Sequence, residues 1–112
     1  MKTIVAGSRD FTDYDLMCKI LDSHLEITEV VCGSAYGADT LGADWAYEHE
    51  IPVKEMPADW DKYGPDAGYI RNAEMAKYAS GLVAFWNGRS TGTSDMIKLA
   101  RLYRIQVNVV NI

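Results

Sequence analysis

Cysteine and histidine are scarce in this chain of 112 residues, which has two of each. Cys18 and Cys32 fall inside predicted regular structure without the spacing of metal ligands, and neither His24 nor His49 has a cysteine or histidine close by in the sequence. Small proteins of oxidising compartments usually carry many disulfides. We therefore expect two free thiols in a reducing cytoplasm, no metal site and no cofactor.

Long apolar runs, internal repeats and low-complexity tracts are also absent. No run approaches the roughly 20 apolar residues that span a bilayer. The first residues lack the charged, apolar and small-residue order of a signal peptide. With 48% hydrophobic and 24% charged residues, the composition is typical of one globular domain. We therefore expect a single cytoplasmic domain over residues 1–112 and no membrane partner.

Basic residues are fewer than acidic residues in this chain. The chain has 16 Asp and Glu against 11 Lys and Arg, a formal net charge of −5, and no run rich in Lys or Arg. Proteins that bind duplex nucleic acid normally present a basic face to the phosphates. The composition therefore excludes duplex nucleic acid from the expected partners.

Short apolar segments alternate regularly with segments of helical periodicity. The predicted strands cover residues 2–6, 28–32, 51–56, 81–86 and 105–110. Helices are predicted after Thr12, from Ala38, over 67–79 and over 92–103, and a long loop is predicted over 57–66. Strict alternation with apolar strands predicts an α/β fold, a doubly wound five-stranded parallel sheet with helices on both faces. Right-handed crossovers favour the strand order 3-2-1-4-5.

All four predicted helices show an apolar stripe at helical spacing, which in the second helix consists of Ala38, Leu41, Trp45 and Ala46. The predicted inward-facing residues are Leu16, Ile20, Leu21 and Leu25 in the first helix, Ile70, Ala73 and Ala76 in the third, and Met96, Ile97 and Ala100 in the fourth.

The loops after the first, second and fourth strands are rich in glycine and hydroxyl residues, and ligands of open α/β sheets bind beyond these strand ends. The candidate binding residues in them are Gly7, Ser8, Arg9, Gly33, Ser34, Gly37, Ala38, Asp39, Gly88, Ser90, Thr91, Gly92 and Thr93. Small residues let backbone N–H groups at a helix N-terminus approach a phosphate. An ordinary N-cap, or a tight turn in the 33–39 loop, is the alternative.

Arg71 falls in the first turns of the third predicted helix, where a cation opposes the helix dipole. An anion in front of Arg71 resolves this conflict, and Asn72 and Glu74 lie beside it in the sequence. A solvated Arg71–Glu74 surface pair is the alternative. Arg9 is a similar candidate, with a surface arginine as its alternative reading.

Aromatic and acidic residues border the same loops. Trp60, Tyr63, Tyr36 and Trp86 are candidates for stacking on a base, although packing is the commoner role of such residues. The nearby carboxylates are Asp39, Asp59, Asp61 and Asp95. They are candidates for a ribose contact or acid–base chemistry, although turn and capping roles are commoner for Asp.

Five motifs that occur in order together resemble the YspA-type, YpsA-related branch of the SLOG superfamily over essentially the full chain. They are Gly7-Ser8-Arg9, Gly33-x-x-x-Gly37-Ala38-Asp39, Pro57-Ala58-Asp59-Trp60, Gly68-x-x-Arg71-Asn72-x-Glu74-Met75 and Gly88-x-Ser90-x-Gly92-Thr93-x-x-Met96-Ile97. The resemblance implies a Rossmann-like nucleotide-binding fold. It also implies a homo-oligomer, a dimer or larger, because relatives often form dimers that share helices.

The superfamily includes the Lonely-guy phosphoribohydrolases, which cleave a base from a nucleoside monophosphate. These enzymes use an arginine in a helix and a glutamate four residues after the first glycine of Gly-Thr-x-x-Glu. Arg71 matches the arginine by position, but Met96 stands in the glutamate position and cannot exchange a proton. Asp95 is adjacent but should point about 100° away around the helix. Tyr36 stands where relatives usually carry an arginine.

We therefore expect a protein that binds a nucleotide-derived small molecule, such as a nucleoside phosphate or an ADP-ribose-like signal, as a sensor or sequestering protein. The alternative is an N-glycosidic hydrolase in which Arg71 orients the phosphate and Asp95, Asp39 or Glu74 replaces the missing acid. A third hypothesis, a module that binds single-stranded nucleic acid, is disfavoured by the net charge of −5.

Overall fold

The fold is known from a computed structural model that describes residues 1–34 and 37–112. Five strands form one sheet: Lys2–Gly7 (β1), Glu29–Cys32 (β2), Val53–Glu55 (β3), Gly81–Trp86 (β4) and Gln106–Asn111 (β5). All four neighbouring pairs are parallel and the order is β3-β2-β1-β4-β5. The predicted fold class and strand order are confirmed.

Helices cover both faces of this sheet. Their bounds are Tyr14–Asp22 (α1), Ala38–Glu48 (α2), Trp60–Tyr63 (α3), Ala67–Tyr78 (α4) and Thr91–Leu102 (α5), with a 3₁₀ turn over Gly64–Asp66. Because successive strand residues point to opposite faces, Val5 packs with α1 and α2 whereas Ile4 packs with α4 and α5. Both side chains are fully buried, so the central strand is enclosed from both sides.

The structure corrects several local expectations. Residues 57–66 contain α3 and the 3₁₀ turn rather than a continuous loop, because Asp59 caps α3 by accepting a hydrogen bond from Lys62 N at 3.1 Å. The first helix is capped by Asp13 rather than Thr12 and ends at Asp22, so Leu25 lies beyond it and is 92% exposed.

The buried face of α4 is also displaced from the predicted one. Asn72, Met75 and Ala76 are buried, whereas Ile70 and Ala73 are only partly covered. The prediction followed the apolar residues alone and therefore missed a buried amide. In α5, by contrast, Met96, Ile97 and Ala100 are buried as predicted.

The carboxyl ends of β1 and β4 mark the point where the sheet switches direction. The chain leaves β1 toward α1 on one face and leaves β4 toward α5 on the other. Ser8 joins the two strand ends, since its N–H donates to Phe85 O at 3.1 Å and its hydroxyl accepts from Asn87 N at 3.3 Å. A crevice between diverging connections is where open α/β sheets bind ligands.

Among the helices of residues 1–34 and 37–112, none is both long enough and apolar enough to cross a membrane.

Candidate functional site

A cavity of about 490 Å³ opens at the carboxyl ends of β1 and β4. Its volume lies within the range of roughly 300–1,000 Å³ that is usual for small-molecule sites. Many of the residues predicted from the sequence line it: Gly7, Ser8, Arg9, Asp39, Arg71, Asn72, Ser90, Thr91, Gly92 and Thr93. The sheet topology therefore brings together residues from three separate loops and from α4.

Other predicted residues lie around this cavity without lining it, as far as the described chain shows. These are Gly33, Ser34, Gly37, Ala38, Gly88, Glu74 and Asp95. Glu74 lines a smaller depression of about 190 Å³, which also includes Tyr63 and Asp59. Tyr36 lies outside the described residues.

The N-terminus of α5 forms the inner wall. Asn87 builds the approach to it, since its Oδ1 accepts hydrogen bonds from Arg89 N at 2.8 Å and Ser90 N at 2.9 Å. Ser90 then caps α5 by accepting from Thr93 N at 3.3 Å, and the two hydroxyls lie 2.9 Å apart. Part of the hydroxyl-rich segment therefore has the capping role that the sequence left open.

The first two N–H groups of α5 remain available for a ligand. Across residues 1–34 and 37–112, the backbone N–H groups of Thr91 and Gly92 have no protein acceptor. Both residues are exposed and line the cavity. The first N–H groups of a helix carry a partial positive charge and favour anions.

Arg71 is held in place by the backbone of a neighbouring loop. Its Nη1 donates to Gly33 O, and its Nε donates to Asn72 Oδ1 at 3.1 Å. Gly33 N in turn donates to the buried carboxylate of Asp39 at 2.9 Å. The guanidinium therefore turns toward the end of β2 and not toward Glu74, and its position in the cavity wall is defined by the fold.

Charges of both signs act on Arg71. Partial burial lowers the pKa of Arg71, the nearby Arg9 lowers it further, and Asp39 opposes both effects. Arginine nevertheless stays protonated in proteins. The cavity wall therefore contains a partly desolvated cation, on which the Asp39 carboxylate and the Arg9 cation act in opposite directions.

Asn72 links this cation to the helix N-terminus. Besides accepting from Arg71, it donates through Nδ2 to Gly92 O at 3.2 Å and to Asp95 Oδ2 at 3.1 Å. Its side chain is only 6% exposed, so the amide is fixed. The Asp95 carboxylate thus serves the contact between α4 and α5.

The floor of the cavity is apolar. Met75 and Met96 line it and are 2% and 1% exposed. The carboxylates that line the cavity, in the part of the chain that is described, are those of Asp10 and Asp39. Within the same residues, no group of three or more His, Cys, Asp or Glu side chains is arranged to hold a metal ion.

The outer wall contains aromatic residues. Trp60 and Tyr69 line it, together with Pro65 and Gly68. Of the other stacking candidates, Tyr63 faces the smaller depression, and Trp86 donates from Nε1 to Ser90 O at 3.1 Å.

Asp10, Tyr69 and Asn87 are not among the candidate residues predicted from the sequence. The pair Asn87-Gly88 is a turn signal that could have identified Asn87. Asp10 directly follows a selected residue, and Tyr69 precedes Arg71 by two positions, but their residue types alone did not distinguish them from surface residues.

The sheet and its switch point define a Rossmann-like α/β domain with a cavity at the carboxyl ends of its central strands. The chain belongs to the SLOG family described as YspA, cpYpsA-related, whose family model matches residues 1–63. The resemblance seen in the sequence is thereby confirmed.

The chain is also similar to a phage protein in sequence and to a bacterial protein in structure. It is 30% identical over 116 residues to the Gene 61 protein of Mycobacterium phage D29, covering 95% of this chain and 93% of that protein. Its structure is similar to that of DNA processing protein A (DprA) from Streptococcus pneumoniae, with a TM-score of 0.78 and 16% identity. That match covers 96% of this chain but only 49% of the DprA chain, so this chain spans about half of the length of DprA. At this identity the likeness concerns the fold alone.

Proposed function

We propose that this protein binds a nucleotide-derived small molecule, a nucleoside phosphate or an ADP-ribose-like compound, and acts as a sensor or sequestering protein. The observation that carries the proposal is the hydrogen-bonded path from Arg71 through Asn72 to Gly92. This path fixes a cation and the available N–H groups of a helix on the wall of one cavity. Membership of a SLOG family supports a nucleotide-related function.

The ligand phosphate is assigned to the inner wall. There it accepts hydrogen bonds from the N–H groups of Thr91 and Gly92, and the charges of Arg71 and Arg9 neutralise it. Hydrogen bonds between charged groups are stronger than neutral ones. Partial burial strengthens them further, because the screening by water is reduced.

Binding without cleavage is supported by the chemistry of the cavity floor. Met96 occupies the position on α5 that faces the cavity, and a thioether neither donates nor accepts a proton in acid–base catalysis. Asp95 faces Asn72, Glu74 lines the neighbouring depression, and Asp39 holds Gly33 N. N-glycosidic hydrolysis is the alternative that the experiment below tests.

The test is incubation of the protein with a panel of nucleotides, followed by ultrafiltration and mass spectrometry. The panel contains nucleoside mono-, di- and triphosphates, ADP-ribose and cyclic ADP-ribose isomers. We expect a compound that is retained with the protein and released intact by heat. Free base with a ribose phosphate in the flow-through would show a hydrolase instead. Retention of no compound would contradict the proposed anion site.

We also propose that the protein is a cytoplasmic homo-oligomer. The two cysteines are free, which is consistent with a reducing compartment. Apolar side chains such as Leu102, which is 72% exposed, are available for a subunit contact. Size-exclusion chromatography is expected to give a mass that is a multiple of 12.5 kDa, and elution as a monomer would contradict the oligomer.

A further inference from the structure

The outer wall of the cavity has a different chemistry from the inner wall. Trp60, Pro65, Gly68 and Tyr69 form it, and none of them carries a charge. We propose that this wall stacks against the base of the ligand and that Trp60 determines specificity through stacking area. The site then prefers purine over pyrimidine nucleotides and treats adenine and guanine alike. This inference rests on the proposed function, which supplies the phosphate end of the same ligand.

Trp60 presents its ring to solvent at the cavity. It is 54% exposed, whereas Trp45 in the core is 3% exposed. Tyr69 is 50% exposed on the same wall. Large aromatic side chains are normally buried for most of their surface. Two half-exposed rings that line one small cavity are therefore a surface suited to an aromatic ligand.

The position of the Trp60 ring is defined by Gly68. A Cβ atom added to Gly68 would lie 3.5 Å from Cη2 and 4.0 Å from Cζ2 of Trp60. The benzene edge of the indole thus packs close to the backbone of α4. The other end of the residue is fixed by α3, whose first turn is capped by Asp59. The indole therefore packs along one edge against α4 while about half of the residue stays exposed.

Part of the outer wall shares helix α4 with the cation, whereas Trp60 lies in α3. Gly68 and Arg71 are three residues apart in α4, which places them on neighbouring turns of the same surface. Helix α4 therefore sets the spacing between Gly68, against which the Trp60 ring packs, and Arg71. A ligand with an aromatic ring at one end and a phosphate at the other fits this arrangement.

The expected preference for larger bases follows from the scarcity of hydrogen-bonding groups on the face of this wall. Pro65 and Gly68 have no side-chain donor or acceptor, and the polar groups of Trp60 and Tyr69 lie at ring edges. A ring face attracts any base through its π surface, so it discriminates by size and not by exocyclic groups. Asp10, an exposed carboxylate on the same cavity, is a group that can accept a hydrogen bond from a donor on the base. An Asp10→Asn variant checks its contribution.

The test measures affinities by calorimetry for AMP, GMP, CMP, UMP, ADP-ribose and ribose 5-phosphate, which has no base. We expect AMP and GMP to bind alike and more tightly than CMP and UMP, and ribose 5-phosphate to bind most weakly. Trp60→Ala should lower the affinity for AMP about five-fold or more, which is the lower end of the effect of removing a stacking ring. The affinity for ribose 5-phosphate should stay unchanged. Trp60→Phe should keep most of the AMP affinity.

Two controls separate stacking from a structural role of Trp60. Tyr47→Ala removes a ring that is 63% exposed away from this cavity and should not change AMP affinity. AMP should quench the tryptophan fluorescence of the wild type, and this quenching should be absent in Trp60→Phe although AMP still binds.

The outcomes distinguish failure of this inference from failure of the proposed function. Ribose 5-phosphate binding as tightly as the best nucleotide would overturn base stacking but leave the phosphate site intact. No binding of any of these compounds would remove the proposed function as well. If Asp10→Asn changes the ratio of the AMP and GMP affinities, a hydrogen bond from Asp10 to the base contributes to recognition. This result would overturn recognition by stacking area alone. Loss of self-association in Trp60→Ala, with AMP affinity unchanged, would assign Trp60 to a subunit contact and overturn the proposal.

Discussion

Arg71 occupies the space that a side chain on Gly33 would need. A Cβ atom placed on Gly33 would come within 2.6 Å of Arg71 Cζ, and Gly33 O accepts a hydrogen bond from the same guanidinium. The absence of a side chain at Gly33 therefore lets a charged group lie flat against the backbone at the end of β2. Gly33 acts on the cavity through Arg71 and does not itself line it.

We expect Gly33→Ala to displace Arg71 and to weaken binding of AMP about ten-fold or more, because a hydrogen bond to a charged group contributes about 1.5–3 kcal/mol. The backbone of Gly33 is not left-handed, so alanine causes no backbone strain there and its effect comes from the collision of its Cβ with Arg71. Titration calorimetry measures the affinity, and chemical denaturation checks the fold.

A double-mutant cycle separates this effect from a general disturbance of the loop. Arg71→Ala should abolish AMP binding without unfolding the protein, and Gly33→Ala should then have no further effect on unfolding. If Gly33→Ala destabilises the protein equally with and without Arg71, the proposed relationship between the two residues is wrong.

Gly92 provides space for the ligand. A Cβ atom on Gly92 would meet no atom within 4 Å, and its exposed position lies on the cavity wall. Gly92→Val should therefore abolish AMP binding by filling the site. It should change the free energy of unfolding by no more than about 0.5 kcal/mol, since valine is a better helix former than glycine. Gly92→Ser, a smaller change, should retain part of the affinity. Wild-type affinity in folded Gly92→Val would show that the phosphate lies elsewhere.

Substitution of Met96 distinguishes the binding-protein hypothesis from the hydrolase hypothesis. We expect the wild type to release no adenine from AMP and Met96→Glu to release it, because the variant places a carboxylic acid on the cavity floor. Burial should also raise the pKa of that acid and reduce stability. Chromatographic detection of free adenine is the measurement, and Met96→Gln is the matched variant without a proton to transfer. Adenine release by the wild type at the rate of Met96→Glu would refute the assignment as a binding protein.

Cys32 should make the protein less stable at high pH. The thiol is 1% exposed, and burial, assisted by Asp39 and Glu55, raises its pKa to about 11. An unfolded cysteine ionises near pH ~8.5. Between these values the folded chain keeps a proton that the unfolded chain loses. The stabilisation from Cys32 is thus fully present below about pH 8.5 and decreases as the pH approaches the folded pKa.

The free energy of unfolding should therefore fall by about 1.4 kcal/mol per pH unit through this group above pH ~9. Urea denaturation from pH 8 to pH 11 measures this slope. In Cys32→Ala the free energy of unfolding should decline less steeply with pH than in the wild type. Cys18→Ala keeps the buried thiol of Cys32 and should show the slope of the wild type. Equal slopes in the wild type and Cys32→Ala would contradict a raised pKa at Cys32.

The order of the elements and the topology of the sheet were predictable because both follow from local patterns. Apolar β-branched runs alternating with helical stripes leave few arrangements once crossovers must be right-handed. The errors lie where a single capping residue decides the outcome, as Asp59 does for α3, or where a polar residue is buried, as Asn72 is in α4.

The residue types at the candidate site were predictable from the sequence. Which of these residues cap the helix and which present N–H groups to the cavity was not. Glycine and hydroxyl residues after the strands predicted a phosphate-binding edge. Ser90 and Thr93 cap α5, whereas the N–H groups of Thr91 and Gly92 have no acceptor among residues 1–34 and 37–112. All four residues are adjacent in the sequence. Only the backbone geometry of the first turn distinguishes them.

The sequence by itself determined the alternation of strands and helices, the parallel sheet and the family, because short-range periodicity and ordered motifs encode them. The tertiary structure decided which distant residues meet. Arg71 meets Gly33 across 38 positions and Asn72 meets Gly92 across 20. Such contacts depend on how α4 packs between two strand ends and on whether a side chain would collide there, and neither is a property of any local segment of the chain.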